Sequence, residues 1–390
     1  MNYISYFEQI YHKSPECTAF CPYRICPIGA HSDHQKGKIT GFAIDKGIHI
    51  AFSTKHNGVI ELTSMQFSKR AQWHLRDVDE VKVGDWADYL RGATIALEAN
   101  CPVKYGISAV IEGDLPIGGL SSSAAVTIAF LVALCKVNNI SLSPAEIIDL
   151  AYRAEKNYVG VSVGKLDQSC EVYSVHNQLL YLDTKDDSYE LIQAPASMKP
   201  WKIGIFFSGL ERNLVGSKFN MRVDEVKSAA YALMAYSGME YGKFNDTYMR
   251  DVPFEVYEKY KDRLPETWHR RAEHFFSELD RVQKGAEAWR RGDIEEFGRL
   301  SKLSGASSIN NWETGSEELK ALYDIIIRQD GVYGGRFCGA GFKGFCMALI
   351  DPAYIESVMS GVKQEYLAAF PLLEEKYMSD VCETVDGVRL

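Results

Sequence analysis

The run GISAVIEGDLPIGGLSSSAAVTIAFLVALCK, residues 106–136, constrains this chain more than any other. Its opening, GISAVIEG, is rich in β-branched and apolar residues and predicts a strand over 106–113. Residues 121–136 are apolar nearly all round, which predicts a buried helix rather than an amphipathic one. A strand, a glycine–serine loop and a helix in that order present backbone N–H groups to a phosphate at the helix N-terminus. Gly118 and Gly119 permit the close approach and positive φ angles such a loop requires. Ser121, Ser122 and Ser123 add hydroxyls that can donate to phosphate oxygens or ligate Mg²⁺. A serine-capped turn accounts for one of these serines, not for three in series. The loop is not a Walker A motif, because GxxxxGK[ST] does not occur in the chain.

At 390 residues the chain is too long for one ordinary domain and comfortable for two. Its 46% hydrophobic and 24% charged residues give the profile of a globular protein. A formal charge of −9 argues against nucleic acid or an anionic membrane as partner, yet leaves room for an anionic small molecule in a local cationic pocket. No stretch has the uninterrupted apolar length of a membrane helix, and the N-terminus lacks a secretory pattern, so a cytoplasmic protein is expected. Nine scattered cysteines, with no CxxC pair, fit free thiols in a reducing compartment better than a zinc site.

Strands are also expected over 39–53 and a helix over 144–158, opened by Ser143 and Pro144. From about residue 255 the pattern is mostly helical, and it returns to strand at YGGRFCGAGFKGFCMALI. This order suggests a second α+β domain, with a boundary between 185 and 200.

Three motifs then fall into one order. PIGGLSSSAA resembles the second motif of the GHMP kinases, the superfamily of galactokinase, homoserine kinase and mevalonate kinase. YRICPIGAHSDHQKGK (23–38) resembles the first motif in its galactokinase form, CGAGFKGF (338–345) the third, and WADYLRGATIAL (86–97) a galactokinase segment. The resemblance implies an α+β fold of two domains, 1–193 and 194–390. The first would be like the second domain of ribosomal protein S5, and the second a ferredoxin-like α/β sandwich with helical insertions. It implies ATP and Mg²⁺ as cofactors. Pro116, Gly118, Gly119, Leu120, Ser121, Ser122, Ser123 and Ala124 would surround the nucleotide, with Trp86 and Tyr89 near the adenine. The third motif would pack beneath the phosphate loop or the substrate.

AEKNYVGVSVGKLDQ (154–168) aligns with the segment that carries the catalytic aspartate of galactokinases. By that match Asp167 accepts the proton of an anomeric hydroxyl, and Glu155 ligates Mg²⁺ with Ser122 or Ser123. Arg24 would lie beside Asp167, supplying the positive charge that phosphoryl transfer needs.

The sugar-binding turn departs from the galactokinase pattern GEHxDY. His31 and Asp33 carry over, but the glutamate has become Ala30. That loss removes a hydrogen-bond acceptor for a C6 hydroxyl, a negative charge and volume. All three suit a substrate whose C6 is a carboxylate, since two carboxylates at contact distance repel by several kcal/mol in a poorly solvated pocket. The stretch resembles the plant-type galacturonokinases more closely than galactokinases. Gly164 joins the substrate side, and Phe219 stands where galactokinases place a sugar-binding tyrosine. Lys165, Arg222 and Arg212 are the candidate cations for a uronate carboxylate, with His34 and Gln35 as neutral donors. The expected activity is phosphorylation of D-galacturonate at its anomeric hydroxyl, by a monomer or weak homodimer. A galactokinase, a glucuronate kinase and a non-catalytic sugar sensor remain as alternatives.

Overall fold

The computed structural model describes residues 2–211 and 218–389. Two sheets organise it. The first is built on one 18-residue strand, β2. Its members are β1 (Cys17–Ile25), β2 (Lys38–Lys55), β3 (Val59–Ser64), β4 (Ala71–His74), β5 (Gly106–Gly113), β6 (Gln178–Asp183) and β7 (Ser188–Gln193). The second comprises β8 (Lys202–Phe207), β9 (Val332–Phe337), β10 (Phe345–Ile350) and β11 (Met378–Cys382), and β12 (Thr384–Val385) returns to the first. Along the first sheet the order is β4-β3-β5-β2-β6-β7, with β1 and β12 also on β2. Only β3–β5 is parallel there. The second sheet is antiparallel throughout, in the order β11-β8-β10-β9.

The length of β2 lets it serve several partners in turn. Its first residues pair with β6 and its last with β5, while β1 runs antiparallel along most of its length. That pairing slips between Pro22 and Tyr23, at the proline, which has no N–H to give to a ladder. Arg24 and Ile25 lie just past the slip, paired with Ala43 and Phe42.

The helix expected after the glycine–serine loop runs from Ser122 to Asn138 and buries residues around most of its circumference. The next element differs from expectation. A capping box of Ser143 and Glu146 opens an α-helix over Pro144–Arg153, but a π-helical turn follows over Ala154–Val159. The change in winding occurs where helix Asp88–Glu98 crosses. A Cβ on Gly92 would stand 2.9 Å from the Ala154 carbonyl oxygen and from Tyr158 Cβ. An extra residue in the turn re-aims the side chains around it, Glu155 among them.

Helices dominate from Phe254 onward as expected, and helix Phe219–Ser237 precedes them. The core does not respect the division between the sheets. Trp289, from the long helix Glu266–Arg290, packs within 5.3 Å of both the Phe42 and Trp201 ring centroids and donates to the Ile192 carbonyl. All nine cysteines are free, and no described helix is long and apolar enough to cross a membrane.

Candidate active site

A cavity of about 710 Å³ opens between the sheets. β1 delivers Arg24 to its wall, and the short helix Leu166–Tyr173 delivers Asp167 from the opposite side. Arg24 Nε and Nη2 both donate to Asp167 Oδ1, at 2.8 and 2.6 Å. Oδ2 of the same carboxylate is therefore left for another partner. Arg24 Nη1 donates to the Gly119 carbonyl at 3.3 Å, so one guanidinium ties the carboxylate to the glycine–serine loop. Burial works against the charge on Arg24, whose side chain is 3% exposed, but Asp167 outweighs it and raises its pKa above the usual value.

The loop follows the expected course. Gly119 has φ +92° and Ser121 φ +70°, and Ser121 makes no side-chain cap, which leaves the helix N-terminus open. Gly118, Gly119, Ser121, Ser122 and Ser123 line the cavity; Pro116, Leu120 and Ala124 do not, and Leu120 instead packs into the core. The third motif packs directly beneath. A Cβ on Gly339 would stand 2.6 Å from the Gly119 carbonyl oxygen, and one on Gly344 2.3 Å from that of Gly118. The Phe345 N–H donates to the Gly118 carbonyl at 3.2 Å. Lys343 reaches the same wall.

Ser123 Oγ donates to Glu155 Oε1 at 3.0 Å, and Gln168 Nε2 to Glu155 Oε2 at 2.9 Å. Burial pushes the Glu155 carboxyl up to about 8, and the nearby Asp167 adds to the shift. Glu155 is buried and does not itself line the cavity, whereas Ser123 is half-buried and does; together they offer hard oxygen donors near a second carboxylate, with Arg24 as the nearby positive charge. This arrangement suits Mg²⁺, which takes one or two carboxylates and completes its shell with water and phosphate. Among the described residues no cluster of three His, Cys, Asp or Glu makes an all-protein metal site.

Trp86 lines the cavity in parallel stack with Phe67, ring centroids 5.7 Å apart. Asp88 holds the preceding loop, accepting from the Val83 and Gly84 N–H groups at 2.9 and 2.7 Å. Tyr89 is also on the wall.

The first-motif turn forms another part of the wall through Ala30, His31 and Asp33. His31 adopts φ +63° and stacks on Trp312 at 5.1 Å with an 11° interplanar angle. Burial raises the Asp33 carboxyl to about 6, and Asp167 adds to this. Asp33 Oδ2 accepts from the Leu166 N–H at 3.2 Å. Gly164 and Phe219 also line the cavity, the Phe219 ring 6.4 Å from that of His31.

The expected cations are placed elsewhere. Lys165 is not on the cavity wall and pairs instead with Asp187 at 2.6 Å. Arg222 is held by Glu225 at 3.0 Å and Glu313 at 3.5 Å. Arg212 lies outside the described residues. His34 and Gln35 sit behind the wall. Gln35 Oε1 accepts from the Met249 N–H, so its amide nitrogen faces His34 Nδ1 at 3.2 Å. Burial, with His274 adding, takes His34 down to about 3 and keeps its ring neutral.

The sequence reading missed Phe67, Lys69, Lys82 and Cys26, all on the cavity wall. Phe67 proves exposed only in the folded chain, so no local pattern around it marked the site. Residues 160–164 carry the GxSxG spacing of a hydrolase nucleophile, but they follow a π-helical turn rather than a strand.

Comparison with known proteins agrees with these motifs. Residues 82–175 match the GHMP kinases N terminal domain, 286–368 the GHMP kinases C terminal, and 5–54 the galactokinase galactose-binding signature. The chain is 39% identical to a galacturonokinase from Arabidopsis thaliana over 95% of its own length and 92% of that protein's. It is 29% identical to a galactokinase from Roseiflexus sp. (strain RS-1), over 98% and 95%. The crystal structure of Lactococcus lactis galactokinase complexed with galactose superposes with a TM-score of 0.89 at 25% identity, covering 99% of this chain and 98% of that one.

Proposed function

Because the chain belongs to the GHMP kinases and is an ATP-dependent sugar kinase of the galactokinase and galacturonokinase type, we propose that its acceptor is D-galacturonate, phosphorylated at the anomeric hydroxyl. The observation that carries this acceptor is Ala30 on the cavity wall, in the turn that also presents His31 and Asp33. Alanine at that position presents no carboxylate of its own to repel a uronate C6 group, and it is smaller than the glutamate of the galactokinase pattern.

In this reading Asp167 Oδ2 takes the proton from the anomeric oxygen as that oxygen attacks the γ-phosphorus. The bond from that phosphorus to the β,γ-bridging oxygen breaks, and ADP leaves with the bonding electrons. Arg24, fixed on Oδ1, keeps the carboxylate oriented and stabilises negative charge growing on the transferring group. The backbone N–H groups at the start of helix Ser122–Asn138 receive phosphate oxygens, and the third-motif glycines let the loop approach them. Glu155 and Ser123 would hold Mg²⁺, which when bound neutralises β- and γ-phosphate oxygens. Trp86, stacked on Phe67, would stand beside the adenine. His31 and Asp33 would hold ring hydroxyls, and Gly164 and Phe219 would complete the sugar wall. We take 1–193 and 194–390 as the two domains, and a monomer or weak homodimer in a reducing cytoplasm as the working form, which the nine free thiols suit.

The test is ATP consumption with Mg²⁺ and galacturonate, glucuronate, galactose or glucose at matched concentrations. Turnover confined to galacturonate is expected. Preference for galactose would overturn the acceptor and leave the kinase.

A further inference from the structure

The turn Gly29–Asp33 carries the proposed sugar contacts, yet its own bonds do little to fix its central peptides. Ser32 Oγ donates to the Gly29 carbonyl at 2.7 Å, closing the turn from within. Ser32 and Asp33 have further partners in Lys38, Leu166 and Thr184, but the anchors of the Gly29 N–H and the Ala30 carbonyl come from about 250 positions later, on the long helix Glu266–Arg290. Glu278 Oε2 accepts from the Gly29 N–H at 2.7 Å, across 249 residues. His274 Nε2 lies 3.0 Å from the Ala30 carbonyl oxygen, across 244. The peptide that enters Gly29 and the peptide that leaves Ala30 are thus tied to one helix.

These contacts form a stripe. His274, Glu278, Val282 and Gly285 recur at spacings of four, four and three, one face of a helix. Val282 Cγ2 stands 2.8 Å from where a Cβ on Gly29 would lie, and a Cβ on Gly285 would stand 2.6 Å from Ile28 Cδ1. Van der Waals contact therefore fixes the height of the turn over the helix, and the two hydrogen bonds fix its rotation.

The anchors are themselves held. His274 and Glu278 are fully buried. Burial takes His274 down to about 4, so its ring is neutral, and its bond to the Ala30 carbonyl requires the proton on Nε2. Nδ1 is then an acceptor, and the Ser307 hydroxyl donates to it at 2.9 Å. Glu278 also receives Ser304 Oγ at 3.0 Å and Arg281 Nε at 2.8 Å. The buried Arg336 donates to both Ser304 and Ser308, which connects the network to β9.

We propose that His274 and Glu278 are positioning residues for sugar binding: helix Glu266–Arg290 sets the place of Ala30, so the sugar half of the site is complete only when both halves of the chain are packed. This rests on the reading of the Ala30 turn as the sugar site. Neither residue lines the cavity, and neither touches the nucleotide side.

The experiment compares wild type with His274→Leu and His274→Gln on whichever of the four sugars the wild type consumes. It measures KM for sugar, KM for ATP, kcat and the thermal midpoint. His274→Leu strands a buried carbonyl and is expected to raise the sugar KM about tenfold, with ATP KM and kcat within about twofold. His274→Gln can still donate to Ala30 and should recover most of the loss. Ser307→Ala, which frees the imidazole's orientation and also removes the acceptor of the Asn311 amide, should raise the sugar KM about threefold and carries the test if His274→Leu does not fold. A rise in both KM values together, or a Gln variant no better than Leu, overturns the proposal. Asp33→Asn in the same assay separates the two readings. If Asp33→Asn leaves the sugar KM unchanged, the turn is not the sugar site; if only the His274 and Ser307 variants do so, the positioning role alone fails.

Discussion

Gly164 and Asp33 stand so close that no side chain fits between them: a Cβ on Gly164 would lie 2.3 Å from Asp33 Oδ2. Three residues before Asp167, the chain passes against the carboxylate of the first-motif turn, and the Leu166 N–H donates to the same oxygen. This contact joins the proposed sugar-binding and proton-accepting groups into one rigid wall.

Gly164→Ala should therefore act on the sugar and not on the nucleotide. The added methyl has to displace Asp33, at a cost of about 1–3 kcal/mol in stability. The sugar KM is expected to rise about tenfold or more, while ATP binding by calorimetry stays within about twofold. Equal loss of both affinities would show that the wall is not specific to the sugar.

Asp167→Asn keeps the volume and loses the base. A decrease in kcat of about 10³-fold is expected, the ordinary size of a general-base contribution. ATP affinity should change little, because Asp167 faces Arg24 rather than the loop serines. Activity within tenfold of wild type would remove Asp167 from the chemistry.

Ala30→Glu restores a carboxylate to the turn. In a site this enclosed, like-charge repulsion predicts a fall in kcat/KM for galacturonate of about 100-fold or more. Galactose turnover should fall far less or rise. Parallel loss on both sugars would mean that the turn has merely been disrupted.

The buried Asp33 links pH to both binding and stability. Its carboxyl is raised from 3.8 to about 6, so the folded state holds a proton that the unfolded chain releases earlier. The stability this gives is fully present below pH 3.8 and is lost as pH rises through 6. A hydroxyl-accepting carboxylate has to be ionised, so kcat/KM for the sugar should fall as pH drops below about 6. Asp33→Asn should abolish that limb and raise the thermal midpoint more at pH 8 than at pH 5. A variant that melts lower than wild type at pH 8 would show that Asp33 costs the fold nothing.

Much of the site was legible in the sequence because local chemistry dictated it. The glycine–serine loop and the all-round apolar helix specify their own conformation, and the structure gives the loop its open helix N-terminus. Arg24 and Asp167, 143 positions apart, could be paired only through the resemblance, since neither residue's surroundings are encoded near it. Lys165 shows the limit: two residues from Asp167 in sequence, it pairs with Asp187, 22 positions on, and not with any described residue of the cavity wall.

By itself the sequence determined which segments could form a phosphate loop, which turn lacked a carboxylate, and that two domains were needed to bury the chain. Those properties depend on residue type and short-range spacing. Only the tertiary structure decided that a π-helical turn carries Glu155 where helix Asp88–Glu98 crosses, that the third-motif glycines lie under Gly118 and Gly119, and that His274 and Glu278 hold the turn around Ala30. Each of these is a contact between segments remote in the chain. Its geometry follows from how close-packed surfaces interlock, which no local pattern records.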